Sequence, residues 1–322
     1  MFLGGASAFG KYLKTRTKIH AADIMARLVL RFSRFEPILV RACRSPTMLR
    51  LGVGAVALGY ARVLDAPAER IADMGRYRLH VNLQEHLGIA SYFFRDPATV
   101  WLLPKLVGPG AVCLDVGANA GYYTFALSAL AGPTGHVVAF EPNPVNAGLL
   151  RKSVKLNQHL ARVDVDQRAL WREADCQLKF FLSTNTQNSG TASLVRHGVD
   201  QADTNTTNVA TTTLDEVVEQ LGVRGIDLLK IDVERAEADV LAGGTRTLSS
   251  HRVDCVLAEL VRGGEAEQQL TTLGYKGFEV DAPRQRLKPL NRVPSNTLGD
   301  YLFLSPKKLE EFAPLIQSMA DD

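Results

Sequence analysis

The chain of 322 residues lacks several features that would place it in a specialised class of protein. It has four cysteines without a Cys-x-x-Cys pair, so a disulfide framework is excluded and a reducing, cytoplasmic setting is expected. Its most apolar run, residues 51–61, is far shorter than the roughly 20 residues that cross a bilayer. The seven histidines show no ligand spacing, so no metal site is predicted from them.

Composition excludes further classes. Hydrophobic residues make up 46% of the chain and charged residues 22%, which is typical of a globular protein and excludes a disordered or collagen-like one. Basic residues are not interleaved with aromatic ones near the glycine-containing turn of residues 117–121, and residues 64–322 are acidic on balance, so no nucleic-acid partner is expected. The length suffices for one large domain or two modest ones.

Charge is distributed unevenly along the chain. Residues 1–63 contain eleven Lys or Arg and two acidic residues, whereas the rest holds 26 basic and 32 acidic residues. Apolar stretches such as 28–30 alternate with arginines in this basic part, which predicts an amphipathic helical extension over residues 1–76. Two interpretations stay open: residues 1–63 make peripheral contact with an anionic membrane face, or they pack on the rest of the protein or on a second copy.

From about residue 77, short apolar strands alternate with helical patterns, which predicts an α/β fold with a mostly parallel sheet covered on both faces. Two late segments, 276–280 and 301–304, predict an antiparallel pair that closes the sheet. The polar segment 183–208 predicts a loop that is either functional or mobile. The other predicted strands are 112–116, 137–141, 163–166, 227–233 and 253–259, and helices are predicted over 122–130, up to 157, and over 236–248.

The sharpest motif is the turn from Asp115 to Gly121, at the end of the first parallel strand. The dinucleotide fingerprint G-x-G-x-x-G is not satisfied, because its second and third glycines would fall on Asn119 and Tyr122. The turn begins instead with a carboxylate, which suits a ligand that carries ammonium or hydroxyl groups. Glycine at positions 117 and 121 lets the backbone turn tightly beside such a ligand.

A second carboxylate, Glu141, ends the following strand, where an acid can accept both hydroxyls of a ribose. Asp166, after the third strand, borders the expected position of the base. A nucleoside with a cationic tail and no phosphate fits these acids, and S-adenosylmethionine is such a molecule. We therefore predict cofactor contacts from Asp115, Gly117, Asn119, Gly121, Glu141 and Asp166.

Four motifs, in order, resemble those of the FkbM-type S-adenosylmethionine-dependent methyltransferases. The resemblance covers roughly residues 77–305, and it implies a class I methyltransferase domain over residues 77–322. That fold is Rossmann-like, with a mostly parallel seven-stranded sheet and helices on both faces. The implied reaction is O-methylation of a saccharide, lipid-linked glycan or natural-product hydroxyl. The motifs span residues 115–124, 140–144, 213–215 and 229–234.

The last motif also carries the predicted chemistry. A hydroxyl is a poor nucleophile, so a general base should assist, and strand alternation predicts that Lys230, Asp232 and Glu234 share one side. Asp232 is expected nearest the reacting methyl group, as base or as orienting residue. A divalent metal held by Asp232, Glu234 and Glu259 is an open alternative, although no ligand geometry can be read from the sequence.

Arg235 departs from the family pattern, which usually has glycine at this position. It adds bulk and charge on the substrate side, so the acceptor class is open. Two other functions also stay open: a nicotinamide-dependent oxidoreductase or epimerase, which lacks its expected pyrophosphate glycines here, and a non-catalytic protein with the methyltransferase fold.

Overall fold

The computed structural model describes residues 25–27, 29–31, 33–51, 53–64, 68–95, 101–181 and 206–320. The chain forms two compact units that divide between residues 98 and 99. Most of the predicted polar loop, 183–208, lies outside the described residues.

The described part of the first unit is largely helical between residues 25 and 63. A β-hairpin follows, and its two strands lie on either side of the predicted domain boundary at residue 76, which stays a prediction. A π-helix, Ala90–Phe94, ends the described part of the unit. The other elements are α1 (Glu36–Cys43), α2 (Pro46–Arg50), α3 (Val53–Val63), β1 (Glu69–Asp73), β2 (Arg78–Asn82) and α4 (His86–Ile89).

The second unit is built on an eight-stranded sheet and a small three-stranded one. The large sheet contains β3 (Val112–Val116), β4 (His136–Phe140), β5 (Arg162–Asp166), β9 (Ile226–Ile231), β10 (Val253–Val261), β11 (Lys276–Asp281), β12 (Arg286–Pro289) and β13 (Leu298–Leu304). The small sheet contains β6 (Ala169–Leu170), β7 (Gln177–Phe181) and β8 (Thr206–Thr212).

Helices connect and cover these strands. They are α5 (Leu103–Leu106), α6 (Tyr122–Ala131), α7 (Pro144–Leu156), α8 (Leu214–Leu221), α9 (Glu237–Ala242), α10 (Thr245–Ser249), α11 (Glu265–Thr272) and α12 (Pro306–Ala320). The α/β class predicted from the sequence is confirmed.

The order of the large sheet is β12-β11-β13-β10-β9-β3-β4-β5. Strands β10, β9, β3, β4 and β5 are parallel, and the predicted closing pair β11–β13 is antiparallel, with Lys276 opposite Leu304. The central strands are apolar and buried on both faces, which is why they stand out in the sequence. Without β12 the order is the seven-stranded class I methyltransferase arrangement. Strand β12 is an eighth strand at the edge of the sheet, and it was not predicted from the sequence.

The predicted helix over 236–248 is in fact two helices, α9 and α10. Gly243 and Gly244 lie between them. A Cβ at Gly243 would lie 2.1 Å from the carbonyl oxygen of Trp171, so the close approach of two backbones requires glycine at this position.

No helix in the described ranges is long and apolar enough to cross a membrane. Cys43, Cys113, Cys176 and Cys255 are all unpaired thiols, and three of them are buried.

Candidate functional site

The carboxyl ends of the parallel strands are tied to each other by backbone hydrogen bonds. The N–H groups of Gly117 and Ala118 both donate to the Phe140 carbonyl at 3.0 Å. The Asp232 N–H donates to Val116 at 3.0 Å, and the Glu141 N–H donates to Asp166 at 2.9 Å. The predicted acidic residues therefore gather at one edge of the sheet, where ligands bind in open α/β folds.

The two glycines of the first turn both have left-handed backbone, with φ of 77° at Gly117 and 93° at Gly121. A Cβ at Gly117 would lie 1.9 Å from the Asp232 carbonyl oxygen, and one at Gly121 would lie 2.3 Å from Leu150 Cδ1. Internal packing by itself therefore requires glycine at both positions. Contact with a cofactor stays a prediction for them.

Glu141 is buried and holds the turn from both sides. Its Oε2 accepts the Asn119 N–H at 2.7 Å, and its Oε1 accepts the Asn143 N–H at 2.9 Å. Asn119 itself adopts left-handed backbone, with φ of 50°. Burial raises the pKa of Glu141 to about 7, although the two N–H donors oppose the rise. Each carboxylate oxygen has a second lone pair, so Glu141 retains room for two hydroxyl donors.

Asp115 has internal partners. It is fully buried in β3 opposite Lys230 of β9, and the Lys230 Nζ lies 3.7 Å from its Oδ1. Thr124 donates its hydroxyl to Asp115 Oδ2 at 2.6 Å. The protein thus provides Asp115 with a cation of its own, so the sequence expectation of a direct ligand contact stays a prediction.

Lys230 is the buried cation at the centre of this edge. Its Nζ lies 3.4 Å from both Asp232 Oδ2 and the Gly117 carbonyl oxygen, and 4.9 Å from the centre of the Tyr123 ring. Burial alone would lower the pKa of Lys230, but the carboxylates of Asp232 and Asp115 outweigh it and raise the pKa. Lys230 is therefore a protonated group that holds its neighbours in place.

Four carboxylates that act on one another, here called the acidic edge, lie around the neighbouring ends of β9, β10 and β13: Asp232, Glu234, Glu259 and Asp300. Glu259 of β10 is paired in register with Asp300 of β13. Burial and the charge of Asp232 raise the pKa of Glu259 to about 8, of Glu234 to about 7 and of Asp300 to about 6. The negative charge here exceeds what Lys230 balances.

The turn after β9 differs from the sequence expectation. The strand ends at Ile231, two residues early, so strand alternation does not set the orientation of Glu234. Glu234 and Arg235 both have left-handed backbone, with φ of 54° and 75°. Glu237 accepts the Arg235 N–H at 3.1 Å, and this contact holds the turn. The Arg235 side chain is exposed.

Asp166 is engaged by its neighbour. Both of its carboxylate oxygens accept hydrogen bonds from the guanidinium of Arg168, at distances of 2.7 to 3.2 Å. The ion pair leaves Asp166 partly exposed next to the backbone of Glu141. Its predicted position at this edge agrees with the structure, and its contact with a base stays a prediction.

Sequence reasoning missed Asp300 and the roles of Tyr123 and Thr124. Asp300 depends on the register between two distant strands, which no local pattern encodes. Thr124 lies within the first motif, residues 115–124. Its position about one helical turn after Gly121 was the only sequence signal for its hydrogen bond to Asp115. As for the open metal alternative, no group of three or more ligand side chains suited to a metal occurs within the described ranges.

Comparisons with known proteins agree with this architecture. The family model described as the methyltransferase FkbM domain matches residues 115–280. The 31-O-demethyl-FK506 methyltransferase FkbM of Streptomyces tacrolimicus is 33% identical over 56% of this chain and 76% of its own length. The AMB antimetabolite synthetase AmbE of Pseudomonas aeruginosa is 31% identical over 56% of this chain but only 10% of its own length.

Among solved structures, an O-methyltransferase from Bacillus cereus in complex with SAH matches with a TM-score of 0.35 and 13% identity, over 65% of this chain and 80% of that one. The family match covers half of the chain and includes the turn of residues 115–121 and strand β9, which contains Lys230. The chain therefore belongs to the FkbM family of S-adenosylmethionine-dependent methyltransferases.

Proposed function

We propose that the chain methylates a hydroxyl group of a saccharide, a lipid-linked glycan or a natural product. The observation that carries the proposal is the acidic edge, where burial raises the pKa values of Glu234, Glu259 and Asp300 and the Lys230 Nζ lies 3.4 Å from Asp232 Oδ2. Groups of this kind can accept the proton that a hydroxyl loses when it is methylated. The relative from Streptomyces tacrolimicus is named for an O-methyl group, which favours oxygen as the acceptor atom.

The residues at this edge fit a cationic nucleoside. Asp115 Oδ1 is buried without a hydrogen-bond partner in the described structure, and Glu141 has unused lone pairs on both oxygens. A positive ligand is favoured here because it stabilises the ionised form of carboxylates whose pKa values burial raises. We assign the amino-acid end of S-adenosylmethionine to the side of Asp115, Gly117, Asn119 and Gly121, its ribose to Glu141 and its base to Asp166.

When bound, S-adenosylmethionine supplies an electrophilic methyl group. Asp232, whose side chain is 40% exposed, is the proposed general base, since it is accessible and its Oδ2 is oriented by Lys230. Lys230 is a positioning residue that fixes Asp115, Asp232 and the first turn. Glu234 stays a candidate for orienting the acceptor, because its turn carries it to the rim of the same edge.

We further propose a cytoplasmic location and peripheral contact with a membrane, or self-association, through residues 1–63. The basic charge of this segment supports the proposal. Arg235, exposed on the turn after β9, is proposed to select among acceptors by its charge.

The test of the reaction is incubation with S-adenosylmethionine and a panel of saccharide and polyketide acceptors, followed by mass spectrometry and NMR of the products. We expect a methyl ether. Methyl transfer only to nitrogen or carbon would contradict the proposed acceptor chemistry.

The test of the cofactor assignment is Glu141→Gln. Because charge-assisted hydrogen bonds are worth about 1.5–3 kcal/mol each, we expect S-adenosylhomocysteine to bind roughly ten- to a hundredfold more weakly. In the unmodified protein, affinity should fall as pH drops through about 7, since protonated Glu141 accepts hydroxyls poorly. Equal affinity in both proteins at pH values above that pKa would show that the ribose lies elsewhere.

A further inference from the structure

The helices α1 and α2 of the first unit expose large apolar side chains beside arginines. Ile38 is 62% exposed and Leu51, directly after α2, is 71% exposed. Seven of the nine large hydrophobic residues exposed in the described structure lie between residues 25 and 71. Isolated exposed apolar residues are ordinary, but such a concentration marks an interaction surface.

The orientation of α1 is fixed by its inner face. Glu36 accepts hydrogen bonds from Arg70 Nε at 2.7 Å and Tyr92 at 2.6 Å, and also from the Tyr60 hydroxyl. Leu39, on the same face, is buried. This anchoring keeps the opposite face, which includes Ile38 and Arg41, turned to solvent.

Exposed arginines accompany the apolar residues. Arg41 follows Ile38 by three residues on α1, and Arg50 immediately precedes Leu51. We define the outer surface as six exposed residues of the contacting helices α1 and α2 and of the positions that flank them: Phe35, Ile38, Arg41, Met48, Arg50 and Leu51.

We propose that the outer surface binds an anionic lipid membrane. Apolar side chains would enter the boundary between headgroups and acyl chains, while the arginines contact lipid phosphates. This inference deepens the membrane contact proposed above and does not depend on the methyl acceptor.

Charge favours lipid over a second copy of the chain as the occupant. A symmetric dimer through this surface would gather Arg41 and Arg50 of both copies in one interface, and the outer surface includes no carboxylate to pair with them. An anionic leaflet instead complements them, and each arginine near its surface is worth about fivefold in affinity at low salt.

The experiment is co-sedimentation of the full chain with vesicles of phosphatidylcholine, with and without phosphatidylglycerol. We expect binding only to the anionic vesicles. Ile38→Asp with Leu51→Asp should abolish it, whereas Leu298→Asp, a matched exposed leucine of β13, should not. Arg41→Gln with Arg50→Gln should weaken it roughly 25-fold, whereas the exposed pair Arg151→Gln with Arg224→Gln, of equal charge change, should have little effect.

Three results would overturn the proposal: no binding to anionic vesicles, equal losses in the outer-surface and control variants, or self-association that Ile38→Asp abolishes without any vesicle binding. The thermal shift with S-adenosylhomocysteine, measured on every variant, reports the fold and the cofactor site separately. Its retention alongside lost vesicle binding separates this inference from the proposed methyl transfer.

Discussion

Each of the two units contains a cluster of buried or partly buried ionisable groups, and the two clusters balance their charge differently. In the first unit, burial would raise the pKa of Glu36, but hydrogen bonds from Arg70, Tyr60 and Tyr92 outweigh it and lower the pKa. In the second unit, burial and the charge of Asp232 raise the pKa of Glu259 to about 8. A buried carboxylate whose charge is balanced by hydrogen-bond donors is typical of a structural interaction. A carboxylate whose charge is not balanced in this way is typical of a binding or reaction site.

The difference predicts opposite responses to pH. Glu36 is ionised more readily in the folded protein than in the unfolded chain, so its contribution to stability is present at neutral pH and is lost as pH falls through its lowered pKa. Glu259 is ionised less readily when folded, so stability is lost as pH rises from the ordinary range of glutamate to about 8.

The largest expected effect is that of Glu36→Gln. It leaves Arg70 without a charged partner in a half-buried position, and we expect the free energy of unfolding of the first unit to fall by about 2–3 kcal/mol at neutral pH. Urea unfolding measures the loss. Asp73→Asn is the control, because its ion pair with Arg95 is largely exposed and should matter by less than about 1 kcal/mol. Equal losses of unfolding free energy in the two variants would mean that the hydrogen bonds of Glu36 do not specifically stabilise the first unit.

Glu259→Gln should act in the opposite sense. Glutamine cannot ionise, so the variant escapes the loss of stability that Glu259 causes as pH rises. We expect the unfolding free energy of the variant, relative to the unmodified protein, to rise by about 2 kcal/mol between about pH 5 and 6.5. Glu265→Gln, an exposed glutamate on α11, is the control and should show no such trend. If the difference in unfolding free energy between Glu259→Gln and the unmodified protein did not change with pH, the claim that the charge of Glu259 is uncompensated would be wrong.

The smallest expected effect is that of Arg235→Gly. Glycine adopts left-handed backbone without strain, which stabilises the folded state, but it also increases the entropy of the unfolded chain. The net effect should be a rise in the unfolding free energy of about 0.5 kcal/mol. A thermal melt measures this as a small rise in Tm. A decrease would show that the arginine side chain makes a stabilising contact at the rim of the acidic edge.

Much of the fold could be predicted because buried parallel strands are nearly continuous apolar runs. Strand β3 has the predicted bounds, 112–116. The antiparallel pair β11–β13 contains the two segments that were predicted to close the sheet, 276–280 and 301–304. The edge strand β12 is short and polar, and so it was missed.

The candidate site could be predicted only in part. The motifs placed Asp115 and Glu141 at neighbouring strand ends, but a carboxylate looks the same in a sequence whether its partner is a ligand or Lys230. The turn after β9 has left-handed backbone at Glu234 and Arg235, for which neither residue type is a signal. The meeting of Glu259 with Asp300 depends on long-range strand register.

The most direct test of the central claim, that the acidic edge is prepared for a cationic cofactor, is calorimetric titration with S-adenosylmethionine in buffers of different ionisation enthalpy. At about pH 6.5 the raised pKa values of Glu141, Glu234 and Glu259 keep these groups largely protonated. A bound cation lowers those pKa values, so the account predicts net release of protons on binding, and a smaller release in Glu259→Gln. Binding without proton release, or with proton uptake, would contradict it.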